Sequence, residues 1–216
     1  IMHGLPSQSL SEAMSDLRTA LDLKPEHISW YQLTIEPNTA FYSAPPQLPE
    51  EDTLSDIQDA GEKLLATSNY RQYEVSAYTT PSRESKHNLN YWQFGDYVGI
   101  GAGAHSKIWQ NNGETLRYRK TRLPEHYMQA IDKTTGQEII AKYRLPLEFM
   151  MNALRLKDGV PTALFAERTG LHKDSIEATM NELQQKELLR NTSARIATTE
   201  LGFRFLNTVL QYFDDK

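Results

Sequence analysis

Apolar residues recur at three- and four-residue intervals along six stretches of the chain, the pattern of helices with one buried face. The first stretch follows Ser9 and Ser11, either of which can cap a helix, and it stops before Pro25. The second begins at Pro49 with an acidic first turn. The predicted helices cover residues 10–21, 49–65, 147–156, 161–168, 172–187 and 199–213.

Three segments rich in β-branched and aromatic residues predict strands at 27–37, 72–78 and 97–101. Large apolar side chains occupy both faces of 27–37, as in a strand that is covered on both sides in a parallel sheet. Strands and helices alternate through this half of the chain, which predicts parallel β–α units and an α/β fold class. Two full units are too few for a closed eight-stranded barrel, so a partial (β/α) barrel and a doubly wound sheet are the two candidate architectures.

The composition changes near residues 132–141, beyond which helices follow one another. The helices at 161–168 and 172–187 flank a tight turn, and a small β-ribbon is predicted around residues 191–193. Two helices, a turn and a ribbon are the parts of a winged helix-turn-helix. We therefore expect two domains: residues 1–135, and a winged-helix-like α+β domain at residues 141–216.

The helix-turn-helix pattern by itself suggests a module that binds duplex DNA. However, the helix at 172–187 carries two lysines against four acidic residues, and the whole chain has a formal net charge of −5. Contacts to phosphate require the opposite balance of charge. We therefore expect no nucleic-acid partner and interpret this domain as one that packs or binds a protein partner.

The chain contains no cysteine, so it supplies no thiolate to an iron–sulfur cluster or to a cysteine zinc site. Hydrophobic residues make up 39% and charged residues 24%, an ordinary globular balance, and no apolar run has the length of a transmembrane helix. The first residues, IMHGLP, resemble the end of a strand that enters a loop. We expect the chain to be the C-terminal part of a longer protein.

The glycine-rich run GIGAGAHS, residues 99–106, formally matches a loose dinucleotide-binding fingerprint. That fingerprint requires a helix directly after the glycines, whereas a turn signal follows here at Asn111, Asn112 and Gly113. We therefore reject the nicotinamide interpretation. Close packing of small residues and contact of backbone amides with a ligand both remain open for this run.

The segment HNLNYW, residues 87–92, combines a histidine, two amides and two aromatic residues. His87 and Tyr91 are four residues apart, so a helical turn would place them on one face. Haem requires an axial ligand, commonly an imidazole, together with flat apolar walls. The segment therefore has the parts of a haem site, although an aromatic cluster that packs in the core is the alternative.

Five segments in order, MHGLPSQS, ISWYQLTIEPNT, YEVSAY, HNLNYW and DYVGIGAGAHS, resemble one known family. They are similar to the C-terminal portion of the radical S-adenosylmethionine family of oxygen-independent coproporphyrinogen III oxidase-like proteins, and most similar to its haem-chaperone branch. The resemblance covers nearly the whole chain. Each segment alone is a weak signal, and the ordered set is specific.

The resemblance implies a partial (β/α) radical-SAM barrel that carries a [4Fe–4S] cluster and S-adenosylmethionine. It places the cluster cysteines upstream of this chain, so that no metal ligand and no catalytic residue are expected here. It implies that Met2, Thr34 and Ile35 line the S-adenosylmethionine pocket. It also implies haem binding by HNLNYW, and the candidate residues are His87 as ligand with Asn88, Tyr91 and Trp92.

The function implied by the resemblance is that of a cytoplasmic haem chaperone that binds haem and delivers it to haemoproteins. The alternative within the family is oxidative decarboxylation of coproporphyrinogen III to protoporphyrinogen IX. Whether the protein is an enzyme stays open at this point, and we expect this chain to be inactive alone. The expected partners are haem or porphyrin and recipient haemoproteins, with membrane-associated recipients and oligomers left open.

Overall fold

The computed structural model describes residues 1–214 and divides into two compact units, one at Ile1–Ser85 and one that begins at Lys86. The structural division thus falls directly before HNLNYW. The predicted domains, 1–135 and 141–216, stay predictions. Within residues 1–214, no helix is both long enough and apolar enough to cross a membrane.

The first unit combines three helices with five short strands. In chain order they are β1 (Met2–His3), α1 (Leu10–Asp22), β2 (His27–Ser29), β3 (Tyr31–Gln32), α2 (Ala40–Ser43), α3 (Glu51–Thr67), β4 (Arg71–Glu74) and β5 (Ala77–Thr79).

Helices α1 and α3 begin where the sequence predicts them to begin. Ser9 caps α1 in a capping box with Glu12, which satisfies backbone N–H groups at the helix start. Apolar side chains of both helices join Ile28 and Trp30 in one buried core. Trp30 packs so tightly on α3 that a Cβ at Gly61 would lie 1.8 Å from the indole ring.

The predicted single strand at 27–37 is wrong, because the chain changes partner at Trp30. Strand β2 pairs antiparallel with β5, whereas β3 pairs parallel with β1. The Trp30 amide donates to the carbonyl of Ser76, so the backbone N–H between the two strands also has a hydrogen-bond acceptor. The predicted strand at 72–78 is likewise two strands, β4 and β5, which form an antiparallel hairpin.

The second unit contains seven helices, five strands and one 3₁₀ turn in its described part. In chain order they are α4 (Lys86–Trp92), β6 (His105–Trp109), β7 (Thr115–Lys120), α5 (Pro124–Gln129), β8 (Thr134–Ile139), the 3₁₀ turn (Lys142–Arg144), α6 (Leu145–Ala153), β9 (Val160–Pro161), α7 (Ala163–Thr169), α8 (Asp174–Gln185), β10 (Arg195–Ile196), α9 (Glu200–Arg204) and α10 (Leu206–Gln211).

Strands β6, β7 and β8 form an antiparallel sheet that the hydrophobic pattern does not predict. The predicted strand at 97–101 is wrong, since this segment contributes only an isolated bridge between Tyr97 and Lys107. Gly101, the last residue of the segment, has φ +106°, a value that does not belong to an extended strand.

The winged-helix-like part follows the predicted order of helices. Helix α7 ends at Gly170 in the left-handed conformation, and α8 follows after a short turn. The ribbon exists, but β10 pairs with β9, which lies before α7 and was not predicted. The predicted last helix is two helices, α9 and α10, which meet at Phe205. The mixed α/β class is confirmed.

Candidate functional site

The HNLNYW segment folds as helix α4, and its end is fixed by close contacts. Phe94 adopts φ +54°, and the amide of Gly95 donates to the Asn90 carbonyl at 2.8 Å. A Cβ at Gly95 would lie 2.2 Å from the Asn90 amide oxygen, so only glycine fits there without displacement. The segment therefore has one defined helical conformation.

Three rings form a ladder along one side of α4, which we call the ring ladder: His87, Tyr91 and Tyr97. The His87 and Tyr91 ring centroids lie 4.8 Å apart in an edge contact. The Tyr91 and Tyr97 centroids lie 4.4 Å apart with the rings tilted by 32°. His87 is exposed, whereas both tyrosines are half-buried, so the ladder runs from solvent toward the interior of the second unit.

The inner end of the ring ladder is anchored on strand β6. Tyr97 and Lys107 exchange two backbone hydrogen bonds, at 2.9 and 3.0 Å. Burial raises the pKa of the Tyr97 hydroxyl, and the neighbouring Tyr91 adds to that rise. Tyr97 is therefore a neutral ring held in place by the backbone, against which Tyr91 can pack.

Lys107 of strand β6 connects the end of α4 to that strand through its side chain. The sequence pattern did not indicate this residue. Its side chain is buried, donates to the Phe94 carbonyl at 2.9 Å and lies 3.8 Å from the centroid of the Phe94 ring. Asp96 is the nearest carboxylate, at 3.9 Å. Burial lowers the pKa of Lys107 to about 8.

Trp92, the last residue of α4, stacks with an arginine from the segment after α6. The guanidinium carbon of Arg155 lies 4.6 Å from the centroid of the Trp92 ring. Asn88 is half-buried on the same helix. The four predicted haem residues thus lie on one helix of seven residues, and the structure adds Tyr97, Lys107 and Arg155 around them.

The glycine run after α4 is closely packed at its first residue and open farther on. A Cβ at Gly99 would lie 2.1 Å from the His105 carbonyl oxygen, whereas a Cβ at Gly101 would meet nothing within 4 Å. The Gly99 amide donates to Ser106 at 2.9 Å, and the Gly101 amide donates to Tyr127 at 3.3 Å. Strand β6 follows, so the helix that a dinucleotide fingerprint requires is absent between residues 99 and 120.

The three residues predicted to contact S-adenosylmethionine lie in the first unit, on and after the parallel pair β1–β3. Met2 is in β1 and is exposed, while Thr34 and Ile35 follow the end of β3. The Leu33 amide donates to the His3 carbonyl at 2.8 Å, which extends the pairing to the carboxyl ends of both strands. The structure therefore keeps these segments together in one unit, and the roles of the three residues stay predictions.

His3, next to Met2, is a buried histidine that sequence analysis left without a role. It is 1% exposed, its ring centroid lies 4.2 Å from that of Trp30, and its Nδ1 has no partner among the described residues. Burial lowers the pKa of His3 to about 4, so the ring is neutral at pH 7. Across residues 1–214, no three His, Cys, Asp or Glu side chains gather as a metal site.

Comparison with known proteins gives similarity along almost the whole chain. A family model described as the HemN C-terminal domain matches residues 142–205. The protein named heme chaperone HemW of Escherichia coli (strain K12) is 47% identical over 99% of this chain and 56% of its own length. The HemW proteins of Haemophilus influenzae (strain ATCC 51907 / DSM 11121 / KW20 / Rd) and Bacillus subtilis (strain 168) are 45% and 30% identical, each over 99% of this chain and over 55% and 57% of their own lengths.

A solved structure, described as coproporphyrinogen III oxidase (HemN) from Escherichia coli, a radical SAM enzyme, shares the fold. It matches 99% of this chain and 54% of its own chain with a TM-score of 0.74 and 14% sequence identity. The chain thus spans about half the length of the curated relatives it matches. Together these similarities confirm the resemblance to HemW along almost the whole chain and to the HemN C-terminal domain over residues 142–205, and the solved structure shows that the fold is shared with HemN.

Proposed function

We propose that this chain binds haem on helix α4 and belongs to a haem chaperone that delivers haem to haemoproteins. The observation that carries the proposal is the exposed imidazole of His87, held edge-on by Tyr91 at the open end of the ring ladder. The relatives named heme chaperone HemW, which are similar along 99% of the chain, support the same function.

The residues of α4 fit haem chemically. Among residues 1–214, no hydrogen bond or salt bridge engages the His87 ring, so a ring nitrogen is free to accept a metal bond. The Tyr91 contact restricts the rotation of the imidazole without occupying either nitrogen. Tyr91 contacts it directly and Tyr97 packs on Tyr91, so two flat aromatic rings continue from the imidazole.

The openness of the site suits cargo better than a resident cofactor. One protein ligand on the surface of a short helix holds the iron without enclosing the porphyrin. Haem can therefore leave by breaking one coordinate bond and separating from the aromatic faces, and no buried pocket has to open. A recipient haemoprotein supplies a second ligand and an enclosed pocket. Transfer of haem to such a recipient would therefore lower the free energy.

We further propose that Met2, Thr34 and Ile35 contact S-adenosylmethionine, as the resemblance implies. Thr34 donates to Glu36 at 3.0 Å and is exposed, so its hydroxyl is accessible. A [4Fe–4S] cluster does not fit this chain's own residues, because the chain has no cysteine. The similarity to the HemN structure, at 14% sequence identity, shows only that the fold is shared. We therefore do not propose porphyrinogen decarboxylation.

A haem titration of the 216-residue chain tests the proposal. We expect His87→Ala to weaken haem binding at least tenfold, since it removes the metal ligand, and to slow haem transfer to an apo-haemoprotein. The matched control is His126→Ala, which removes an exposed histidine from α5 of the same unit. Equal haem affinity of the unaltered chain and the His87→Ala variant would overturn the proposal.

A further inference from the structure

The turn that follows helix α4, residues 94–97, is held by one side chain from each side, and we call it the α4 turn. Asn90 of α4 donates from Nδ2 to the Asp96 carbonyl at 2.9 Å. Lys107 of strand β6 donates from Nζ to the Phe94 carbonyl, also at 2.9 Å. The α4 turn is therefore fixed both to the helix before it and to the strand beside it, by bonds that backbone pairing alone does not supply.

This arrangement contains two features that cost free energy. Phe94 is a non-glycine residue with φ +54°, a left-handed conformation that is rare for a bulky side chain. Lys107 is only 5% exposed, and its nearest carboxylate oxygen, on Asp96, lies at 3.9 Å, beyond hydrogen-bond distance. A buried ammonium that is not closely paired is expensive to desolvate. Costly features of this kind persist where the surrounding structure enforces them, and they cluster at functional sites.

The α4 turn ends at Tyr97, the inner ring of the ring ladder. The amide and the carbonyl of Tyr97 both bond to the backbone of Lys107, so the residue that holds Phe94 also holds Tyr97. The Tyr97 ring lies 4.4 Å from that of Tyr91, and the Tyr91 ring lies 4.8 Å from that of His87. An unbroken series of contacts thus leads from the α4 turn to the imidazole.

We infer that Asn90 and Lys107 are positioning residues for haem binding. They hold the α4 turn, and with it Tyr97, in the place where the ring ladder orients the imidazole of His87. Both residues act through His87 rather than by contact with the porphyrin. The inference rests on the proposed function and adds the residues that preorganise its ligand.

Asn90→Asp tests the side of the α4 turn that faces the helix. The variant keeps the shape of the side chain but loses the Nδ2 donor, and it lies at an exposed position, where most substitutions change stability little. We expect haem affinity to fall by about twofold to tenfold, the range that one hydrogen bond provides. The matched control is Asn181→Asp, the same change at an exposed position of α8, which should leave haem affinity unchanged.

Lys107→Met tests the side of the α4 turn that faces the strand. Methionine keeps most of the aliphatic side chain and removes the ammonium donor. Haem affinity should fall by a similar factor, and Lys107→Arg should restore part of it because a guanidinium can donate to the same carbonyl.

A second measurement separates positioning from a general loss of structure. In the His87→Ala background, neither Asn90→Asp nor Lys107→Met should weaken haem binding further, since the imidazole that they orient is absent. A residue that only stabilises the fold would weaken haem binding by the same factor in both backgrounds. Circular dichroism and urea unfolding show whether each variant is folded, and Asn90→Asp decides alone if Lys107→Met does not fold.

The inference is overturned if Asn90→Asp binds haem as tightly as the unaltered chain, or if its effect is the same with and without the His87 imidazole. A Lys107→Arg variant as weak as Lys107→Met would overturn the role of Lys107. These results leave the proposed function intact as long as His87→Ala weakens haem binding. If His87→Ala binds haem as tightly as the unaltered chain, the proposed function itself fails, and the inference fails with it.

Discussion

The imidazole of His87 meets the edge of the Tyr91 ring, with the two ring centroids 4.8 Å apart. The contact exists because residues four apart share one face of a helix, and α4 covers both of them. It leaves the ring nitrogens of His87 free and restrains the ring that carries them. Tyr91 in turn rests on Tyr97, so the orientation of the proposed ligand depends on two aromatic contacts in series.

Replacing Tyr91 tests whether its ring orients His87. An aromatic pair contributes about 0.5–1.5 kcal/mol, so Tyr91→Leu should weaken haem binding by roughly twofold to tenfold. Tyr91→Phe keeps the ring and should bind haem like the unaltered chain. Haem titrations of the two variants provide the measurement, and equal affinities for Leu and Phe at this position would show that the ring has no such role.

Gly61→Ala should destabilise the first unit, although alanine favours a helix over glycine by about 1 kcal/mol. The new Cβ would lie 1.8 Å from the indole of Trp30, a contact that forces α3 away from the sheet. Overpacking of this kind costs about 1–3 kcal/mol or more, which outweighs the gain in propensity. Urea unfolding measures the change.

Ala66→Gly, at an exposed position of the same helix, is the matched control for Gly61→Ala. It should lower stability only by the propensity difference of about 1 kcal/mol. A Gly61→Ala variant that is more stable than the unaltered chain would show that α3 does not pack on Trp30 in this way.

The buried ammonium of Lys107 predicts that stability rises between about pH 8 and pH 10. In the native state the pKa of Lys107 is lowered to about 8, whereas the unfolded chain keeps the ordinary value of 10.5. The unfolded state therefore binds more protons in this window, so the free energy of unfolding increases with pH. Asp96 and Glu148 oppose the shift, and Arg117 and Arg168 add to it.

Lys107→Met removes the titrating ammonium group. The free energy of unfolding of this variant should therefore increase less between pH 8 and pH 10 than that of the unaltered chain. Unfolding measured at pH 8, 9 and 10 for both proteins gives the comparison. An identical pH dependence of the two proteins would contradict the assigned burial of the ammonium.

His3 predicts a loss of stability at acidic pH. Its native pKa is lowered to about 4 from 6.5, so the unfolded chain takes up a proton first as the pH falls. The contribution of the neutral ring to the free energy of unfolding is complete above about pH 6.5 and is lost progressively toward pH 4, with a magnitude of about 3 kcal/mol. His3→Gln should show a shallower decline between pH 7 and pH 4.5 in urea unfolding, and a decline as steep as that of the unaltered chain would argue against a buried neutral ring.

The sequence does not predict helix α4, but the spacing of His87 and Tyr91 predicts that their rings meet if a helical turn forms, because residues four apart share one face of a helix. The same holds for α1, where Ser9 and Glu12 specify the cap locally. These are features that depend on residues within one turn of a helix, and neighbouring residues are enough to determine them.

Features that depend on distant residues were missed. Strands β6 and β7 carry Lys107, Arg117 and Arg119, so their pattern is typical of exposed segments, although Lys107 is buried. The Arg155 contact with Trp92 joins residues far apart in the chain, and no local signal predicts it. The change of partner at Trp30 likewise depends on β1 and β5, which lie before and after it.

The most direct test of the central claim is the absorption spectrum of the haem-loaded chain with and without the His87 imidazole. We predict that the Soret band of haem bound to His87→Ala lies at a different wavelength from that of the unaltered chain. Added free imidazole should restore the original wavelength, because it can bind the haem iron in place of the missing His87 side chain. His126→Ala should keep the original spectrum throughout. An unchanged Soret band in His87→Ala without added imidazole would contradict haem ligation by helix α4.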